Sequence, residues 1–124
     1  MSVPAHLPDA EYAVMQIIWE SETPIGTMQV AVIAEPRKGW KFKTTQTLLR
    51  RLAQKGFLAI ERRGKDLYYS PAVTREAYIK AETALFMEKI HGQSLKGFIS
   101  ALYADKKPSE EDLAEIETWF REKE

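Results

Sequence analysis

The sequence predicts a mainly α-helical chain with one small β-hairpin (α+β), and three observations support this fold class. Apolar residues recur every three or four positions in several separate segments, as on one face of a helix. Two short β-rich runs flank a glycine in the middle of the chain. The composition, 44% apolar and 29% charged, is that of a globular protein. A length of 124 residues fits one ordinary domain, or one small domain with a dependent appendage.

Two helices are predicted in the N-terminal third of the chain. The first covers Asp9 to Glu20 and has a helical apolar spacing. A second, short helix is predicted from Thr27 to Glu35, although its β-branched residues leave a strand as the alternative. Pro36 is expected to stop it, and Arg37 to Lys43 is expected to form a basic loop.

The clearest helix is predicted from Thr44 to Lys55. Hydroxyl side chains at its start can cap it, and Gly56 stands where a helix commonly ends. At 100° per residue, one face is apolar and forms part of the core: Thr45, Leu48, Leu49 and Leu52. The opposite face carries only cations and hydrogen-bonding groups: Lys43, Gln46, Thr47, Arg50 and Gln54, with Arg51 on the flank.

The segment from Phe57 to Pro71 is predicted to be a hairpin with a strongly basic tip. Three helices followed by a basic hairpin are the element order of a winged helix-turn-helix. We therefore predict a DNA-binding domain of this type over residues 1–73, with the third helix as the recognition helix and the hairpin as the wing.

Residues 74–124 are predicted to form a separate region of three helices. A unit of about 50 residues is too small to bury all of its apolar stripes, and an exposed stripe usually marks a partner surface. We therefore predict that this region forms a homodimer. The expected dimerisation residues are Tyr78, Leu85, Phe86, Ile90, Leu95, Phe98, Ile99, Leu102, Ile116, Trp119 and Phe120.

Charge is distributed unevenly along a chain whose net charge is zero. No lysine or arginine occurs before Arg37, whereas Pro36 to Lys65 holds ten basic residues and one acidic residue, Glu61. A solvated basic face is one explanation. Because the predicted recognition helix and wing both fall in this window, we favour a surface that meets the phosphate backbone of DNA.

The predicted contacts with DNA follow from the chemistry of each side chain. Gln46 can read adenine and Arg50 guanine, while Thr47 can contact a base, a thymine methyl group or a phosphate. Thr44 is expected to bind phosphate together with its backbone N–H. Backbone contacts are also expected from Lys41, Lys43, Arg51, Arg62, Arg63 and Lys65, and the wing cations can alternatively enter the minor groove.

Two aromatic residues lie in the predicted basic loop, Trp40 and Phe42. Stacking on single-stranded nucleic acid is one role open to them. We expect instead that both rings pack the loop onto the core.

The sequence offers no support for catalysis, a metal site or a cofactor. His6 and His91 lack ligand spacing, there is no cysteine, and no Gly-rich phosphate loop or GxSxG motif is present. The longest uncharged run, Thr23 to Ala34, is too short to cross a bilayer. The segment from Met1 to Tyr12 lacks the pattern of a signal peptide, so we expect a cytoplasmic protein without membrane insertion.

Several segments resemble the penicillinase repressor family (BlaI, MecI and the copper-responsive CopY relatives). The resemblance is carried by the runs Leu7 to Met15, Gly39 to Lys41, Thr44 to Leu52, Lys55 to Leu58 and Tyr69 to Pro71, and by the C-terminal helical segments. It implies a winged-helix transcriptional repressor that dimerises through its C-terminal helices and binds a palindromic operator ahead of β-lactam resistance or stress genes.

The resemblance also implies a regulatory pathway. A membrane sensor-protease signal leads to cleavage of family members in the dimerisation region, at an Asn-Phe pair. The matching pair here is Ala101-Leu102, which differs in both residues. The cysteines by which the copper-responsive relatives bind metal are absent.

Two other classes of function remain open on the sequence. A winged-helix protein–protein adaptor would use the basic face to bind an acidic partner. A small-molecule-responsive regulator would hold its ligand between the C-terminal helices and the winged domain.

Overall fold

The computed structural model describes residues 6–92 and 94–123. The part of the signal-peptide expectation that concerns Met1 to Ala5 lies outside these residues, as do the outermost residues of the two predicted domains. In chain order the elements are α1 (Asp9–Glu20), β1 (Ile25–Gly26), α2 (Thr27–Lys38), α3 (Phe42–Gln54), β2 (Leu58–Arg63), β3 (Asp66–Pro71), α4 (Arg75–His91), α5 (Leu95–Asp105) and α6 (Glu110–Lys123). The predicted fold class, mainly α with a small β wing, is confirmed.

The hairpin belongs to a three-stranded antiparallel sheet with the order β1-β3-β2. In the hairpin Ile60 pairs with Tyr69, and Arg62 pairs with Leu67. The short strand β1 joins the other edge of β3 by pairing Ile25 with Tyr69. The sheet thereby connects the wing to the residues that immediately precede α2.

The helix predicted from Thr27 is confirmed, and the strand alternative is not realised. The region differs from its prediction in two ways. The helix continues past Pro36 to Lys38. Pro36 lies close to the helix end, where its missing N–H removes one hydrogen bond without preventing a last turn. The helix ends at Gly39, whose φ of 70° is left-handed. The predicted basic loop is therefore reduced to residues 39–41, because α3 already begins at Phe42.

The chain divides into two compact units, residues 6–82 and 83–123. The first has a well-defined apolar core to which α1, α2, α3 and the hairpin contribute. Its largest fully buried side chains are Tyr69, Phe57, Met15, Ile18, Leu49, Leu52, Val14, Val30 and Thr45.

Tyr78 of α4 belongs to the core of the first unit. Its side chain is only 5% exposed, and its ring contacts those of Tyr12, Trp19 and Phe57. Its hydroxyl accepts a hydrogen bond from the Leu7 N–H at 2.8 Å. The first unit therefore extends beyond the predicted boundary at residue 73, and Tyr78 does not form part of a free dimerisation surface.

The second unit contains the C-terminal half of α4 together with α5 and α6. Among its described side chains none is buried, and its apolar residues are mostly exposed. The rings of Phe86 and Phe98 meet edge to face with centroids 6.1 Å apart. Ser94 and Ser109 cap α5 and α6, since each hydroxyl accepts a backbone N–H three residues on.

Candidate nucleic-acid interface

The two faces of α3 differ as the sequence predicts. Thr45, Leu48, Leu49 and Leu52 are buried in the core of the first unit. Lys43, Thr47 and Arg50 are exposed on the other side, and Gln46 is partly exposed. Because the buried face fixes the rotation of the helix about its axis, the polar face is held toward solvent.

A groove between α3, the hairpin and the start of α2 brings together residues that are distant in sequence. Four of the predicted DNA contacts line it: Gln46 and Arg50 from α3, and Arg62 and Lys65 from the hairpin. Its walls also include Thr27 and Gln29 of α2. The groove thus combines two amides, two guanidinium groups and an ammonium group, which are the donors that read bases and bind phosphates, and it also includes the carboxylate of Asp66.

The other predicted contacts lie outside the lining of this groove. Lys41, Lys43, Thr44, Thr47 and Arg51 are all exposed on α3 or immediately before it. The Thr47 hydroxyl donates to the Lys43 carbonyl at 3.0 Å, which leaves its lone pairs and methyl group for DNA. Lys41, Lys43 and Arg51 add positive charge to this end of the first unit outside the groove lining.

The predicted role of the Thr44 backbone N–H is wrong. That N–H donates to the Lys41 carbonyl oxygen at 3.0 Å, because the helix begins two residues earlier than its prediction. Its donor is therefore already used inside the first turn. The Thr44 side chain remains exposed, so a phosphate contact by its hydroxyl stays a prediction.

The two adjacent arginines of the wing have different surroundings. The Arg63 guanidinium forms an ion pair with Glu61 and lies 4.5 Å from the centroid of the Tyr68 ring. Arg62 lines the groove next to Arg50. Successive side chains of a strand point to opposite faces, so only Arg62 is directed toward α3.

Three apolar residues that the sequence does not assign to the interface also line the groove: Met28 of α2, Phe42 of α3 and Leu67 of β3. Phe42 is 42% exposed, so the expectation that it packs onto the core is wrong, whereas Trp40 does pack against the core. A signal for Phe42 was present in the sequence: it precedes Gln46 by four residues and Arg50 by eight, which places all three on one side of a helix.

Contacts beneath the interface hold α3 in place. Lys55, which follows the helix, is paired with the buried carboxylate of Glu11 in α1. Tyr69 of the hairpin is fully buried, and burial raises the pKa of its phenol, although Thr27 and the positive charge of Arg50 partly oppose the rise. The recognition helix is thus supported by both α1 and the sheet.

The described residues contain no group of three or more His, Asp or Glu side chains that could hold a metal ion. Across the same residues, none of the helices has the length and apolar character needed to cross a membrane.

The first unit combines three helices and a basic hairpin with a polar helix face that is turned to solvent beside that hairpin. This arrangement defines a winged-helix DNA-binding protein. The family model described as Penicillinase repressor matches residues 7–122. The chain therefore belongs to the penicillinase repressor family, and it is a DNA-binding transcriptional repressor.

Relatives and solved structures agree with this assignment. The penicillinase repressor of Bacillus licheniformis is 28% identical over 110 residues, covering 89% of this chain and 85% of that protein. The methicillin resistance regulatory protein MecI of Staphylococcus aureus is 26% identical over 118 residues, or 94% of each chain.

Two solved structures match the N-terminal part of the chain. The solution structure of the DNA-binding domain of the repressor BlaI has a TM-score of 0.55 at 33% identity, covering 63% of this chain and 94% of that one. The Bacillus licheniformis BlaI monomeric form in complex with the blaP half-operator has a TM-score of 0.53 with the same identity and coverage.

Proposed function

We propose that two copies of this chain bind one palindromic operator and repress the genes behind it, which control β-lactam resistance or a stress response. The observation that carries the proposal is the groove in which Gln46 and Arg50 of the recognition helix lie beside Arg62 and Lys65 of the wing. A recognition helix enters the major groove while the wing contacts the flanking backbone. No catalytic step or cofactor is needed for this activity.

The relatives support the choice of operator. The BlaI structure contains a monomeric form on a half-operator. If one copy of this chain also binds one half-site, a two-fold related pair binds a palindrome with half-sites about one helical turn, or a multiple of it, apart.

The homodimer is supported by the second unit, where exposed apolar side chains lie on all three helices. Ile90, Ile99 and Trp119 are each more than 40% exposed, and α5 and α6 contribute no buried residue. Apolar surface of this extent is costly in water and is commonly covered by a second copy. The proposed dimer surface comprises Leu85, Phe86, Ile90, Leu95, Phe98, Ile99, Leu102, Ile116, Trp119 and Phe120.

Operator binding is tested by selecting duplexes from fragmented genomic DNA and from a random pool with the full chain. We expect the selected duplexes to share a two-fold symmetric sequence, and their affinity to exceed that of random DNA at every salt concentration. Equal affinity for selected and random duplexes would contradict the proposal and would favour a protein–protein adaptor.

The dimer is tested by sedimentation of the full chain at micromolar concentration. We expect a dimer for the natural chain and a shift toward monomer for Ile99→Glu, which places a charge on the apolar surface of α5. Lys96→Glu on the same helix is the matched control, because Lys96 is also exposed but polar. A natural chain that sediments as a monomer would contradict the proposal.

A proteolytic signal from a membrane sensor is also part of the proposal. The pair Ala101-Leu102 lies within α5, so a cut there would separate α6 from the rest of the chain. Each cleaved chain would lose the apolar residues of α6 from the proposed dimer surface, and operator affinity would fall. Mass spectrometry of the chain from cells exposed to a β-lactam tests this, and an intact chain under full induction would contradict it.

The proposed place of action is the cytoplasm, where a repressor meets chromosomal DNA.

A further inference from the structure

Phe42, Gln46 and Arg50 form a single row on the recognition helix. They are spaced four residues apart, and all three line the groove between α3 and the wing. Gln46 and Arg50 have the hydrogen-bonding groups that read adenine and guanine. Phe42 has none, although it stands at the N-terminal end of α3, where recognition helices contact base edges.

The position of Phe42 needs an explanation because the ring is not part of the core. It is 42% exposed and shares the groove with cationic side chains. Met28 of α2 lies in the same groove and is 62% exposed. Met28 and Phe42 therefore add exposed apolar surface to a groove lined mostly by polar and charged side chains, and this surface is continuous with residues that we propose as DNA contacts.

We propose that Phe42, assisted by Met28, reads a thymine by apolar contact with its C5-methyl group in the major groove. This inference rests on the proposed operator binding and adds a specificity-determining residue to it. The thymine methyl is the one apolar group that bases present in the major groove, and phenylalanine is among the side chains that contact it. Burying it against the Phe42 ring would remove apolar surface of both partners from water.

The spacing of the row also predicts the order of the bases. Phe42 and Arg50 are eight residues apart, so they are separated by about 12 Å along the helix axis. Base pairs are stacked about 3.4 Å apart. This span is an upper limit, because a recognition helix inclined to the DNA axis covers fewer base pairs. The thymine read by Phe42 should therefore lie within about four base pairs of the guanine read by Arg50, with the contact of Gln46 between them.

The experiment uses the full chain and the tightest duplex selected from a random pool. Each thymine is replaced in turn by deoxyuridine, which lacks only the methyl group, and Kd is measured for each duplex. We expect one position in each half-site to lose about fourfold in affinity, the effect of burying one methyl group. The guanine read by Arg50 is identified as the one whose replacement lowers the affinity of the natural chain but not that of Arg50→Ala. The deoxyuridine-sensitive thymine should lie at the predicted distance from this guanine.

Protein variants assign the effect to Phe42. In Phe42→Ala the uridine penalty at that position should disappear, and in Phe42→Leu, which keeps an apolar side chain, it should persist in part. Met28→Ala should reduce the same penalty. Val32→Ala is the matched control: Val32 is an apolar residue of α2 that is 63% exposed but does not line the groove. Thermal unfolding of each variant verifies that it folds. If Phe42→Ala does not fold, Met28→Ala supplies the comparison with the natural chain.

Three results would overturn the inference. The first is a uridine penalty that is the same in Phe42→Ala as in the natural chain, and the second is a selected duplex with no uridine-sensitive position. The third is a loss by Phe42→Ala of affinity for single-stranded DNA with no effect of uridine, which would indicate stacking on bases. A pool that yields no preferred duplex would contradict the operator proposal itself, and this inference with it.

Discussion

Lys55 donates a hydrogen bond from its ammonium group to the carboxylate of Glu11, and so joins the end of α3 to α1. The Glu11 side chain is buried, whereas that of Lys55 is partly exposed. The pair secures the C-terminal end of the recognition helix, and Gly56 then reverses the chain toward the hairpin with a φ of 85°.

The first prediction concerns this pair. Lys55→Met should lower the free energy of unfolding by about 1–3 kcal/mol, because it leaves a buried carboxylate without its cation. Urea unfolding measures the change. Lys65→Met is the control at an exposed position, where no measurable change is expected. Adding Glu11→Gln to Lys55→Met should restore part of the stability, and a double variant less stable than Lys55→Met would contradict the explanation.

The second prediction concerns alkaline pH. Burial raises the pKa of Tyr69 and of Tyr78 above the ordinary value of 10.0. Each phenol therefore holds its proton more tightly in the folded chain than in the unfolded chain. As pH rises above 10.0, the unfolded chain loses these protons first, and the free energy of unfolding falls.

The measurement is urea unfolding at several pH values on either side of 10.0, the ordinary tyrosine value. Stability contributed by the buried phenols should be complete below this value and decline above it. In Tyr69→Phe the decline should be smaller, since one of the two phenols whose pKa is raised by burial is gone. A decline of equal steepness in the variant would show that Tyr69 does not contribute.

The sequence predicted the elements that have a strong repeating pattern. The two faces of α3 follow from the spacing of Leu48, Leu49 and Leu52, and the wing follows from the β-rich runs on either side of Gly64. In both cases the signal is local, because periodicity alone determines which side chains face the core.

Other features depend on contacts that a sequence pattern does not contain. Tyr78 fits the apolar stripe of α4, yet its ring is buried among Tyr12, Trp19 and Phe57, which come from distant segments. Strand β1 has only two residues, too few to show a period.

Phe42 was missed as an interface residue for a different reason. The availability of capping hydroxyls predicts a helix start at Thr44, but α3 begins at Phe42, with Lys41 at the N-cap position and no side-chain cap hydrogen bond. Starting the helix two residues too late assigned Phe42 to a loop, and its alignment with Gln46 and Arg50 was lost.

The third prediction separates the cations of the wing. Arg62→Ala should weaken binding to every duplex and reduce the slope of affinity against salt by about one unit, because one phosphate contact is lost. Lys65→Ala should act in the same way. Arg63→Ala is the matched control and should change the slope less, since Glu61 and the Tyr68 ring already hold its guanidinium. Equal slopes for all three variants and the natural chain would argue against wing–phosphate contact.

The fourth prediction concerns base reading by α3. Arg50→Ala should weaken binding to the selected operator by about 1–3 kcal/mol and relax the preference at one base pair, because a guanidinium that lines the groove is positioned for a bidentate contact with guanine. Arg51→Ala is the neighbouring control: it lies on the flank of the same helix, and its loss should weaken operator and random DNA to the same extent. Parallel titrations of both duplexes decide the matter, because equal losses with Arg50→Ala would mean that Arg50 binds the backbone and does not read a base.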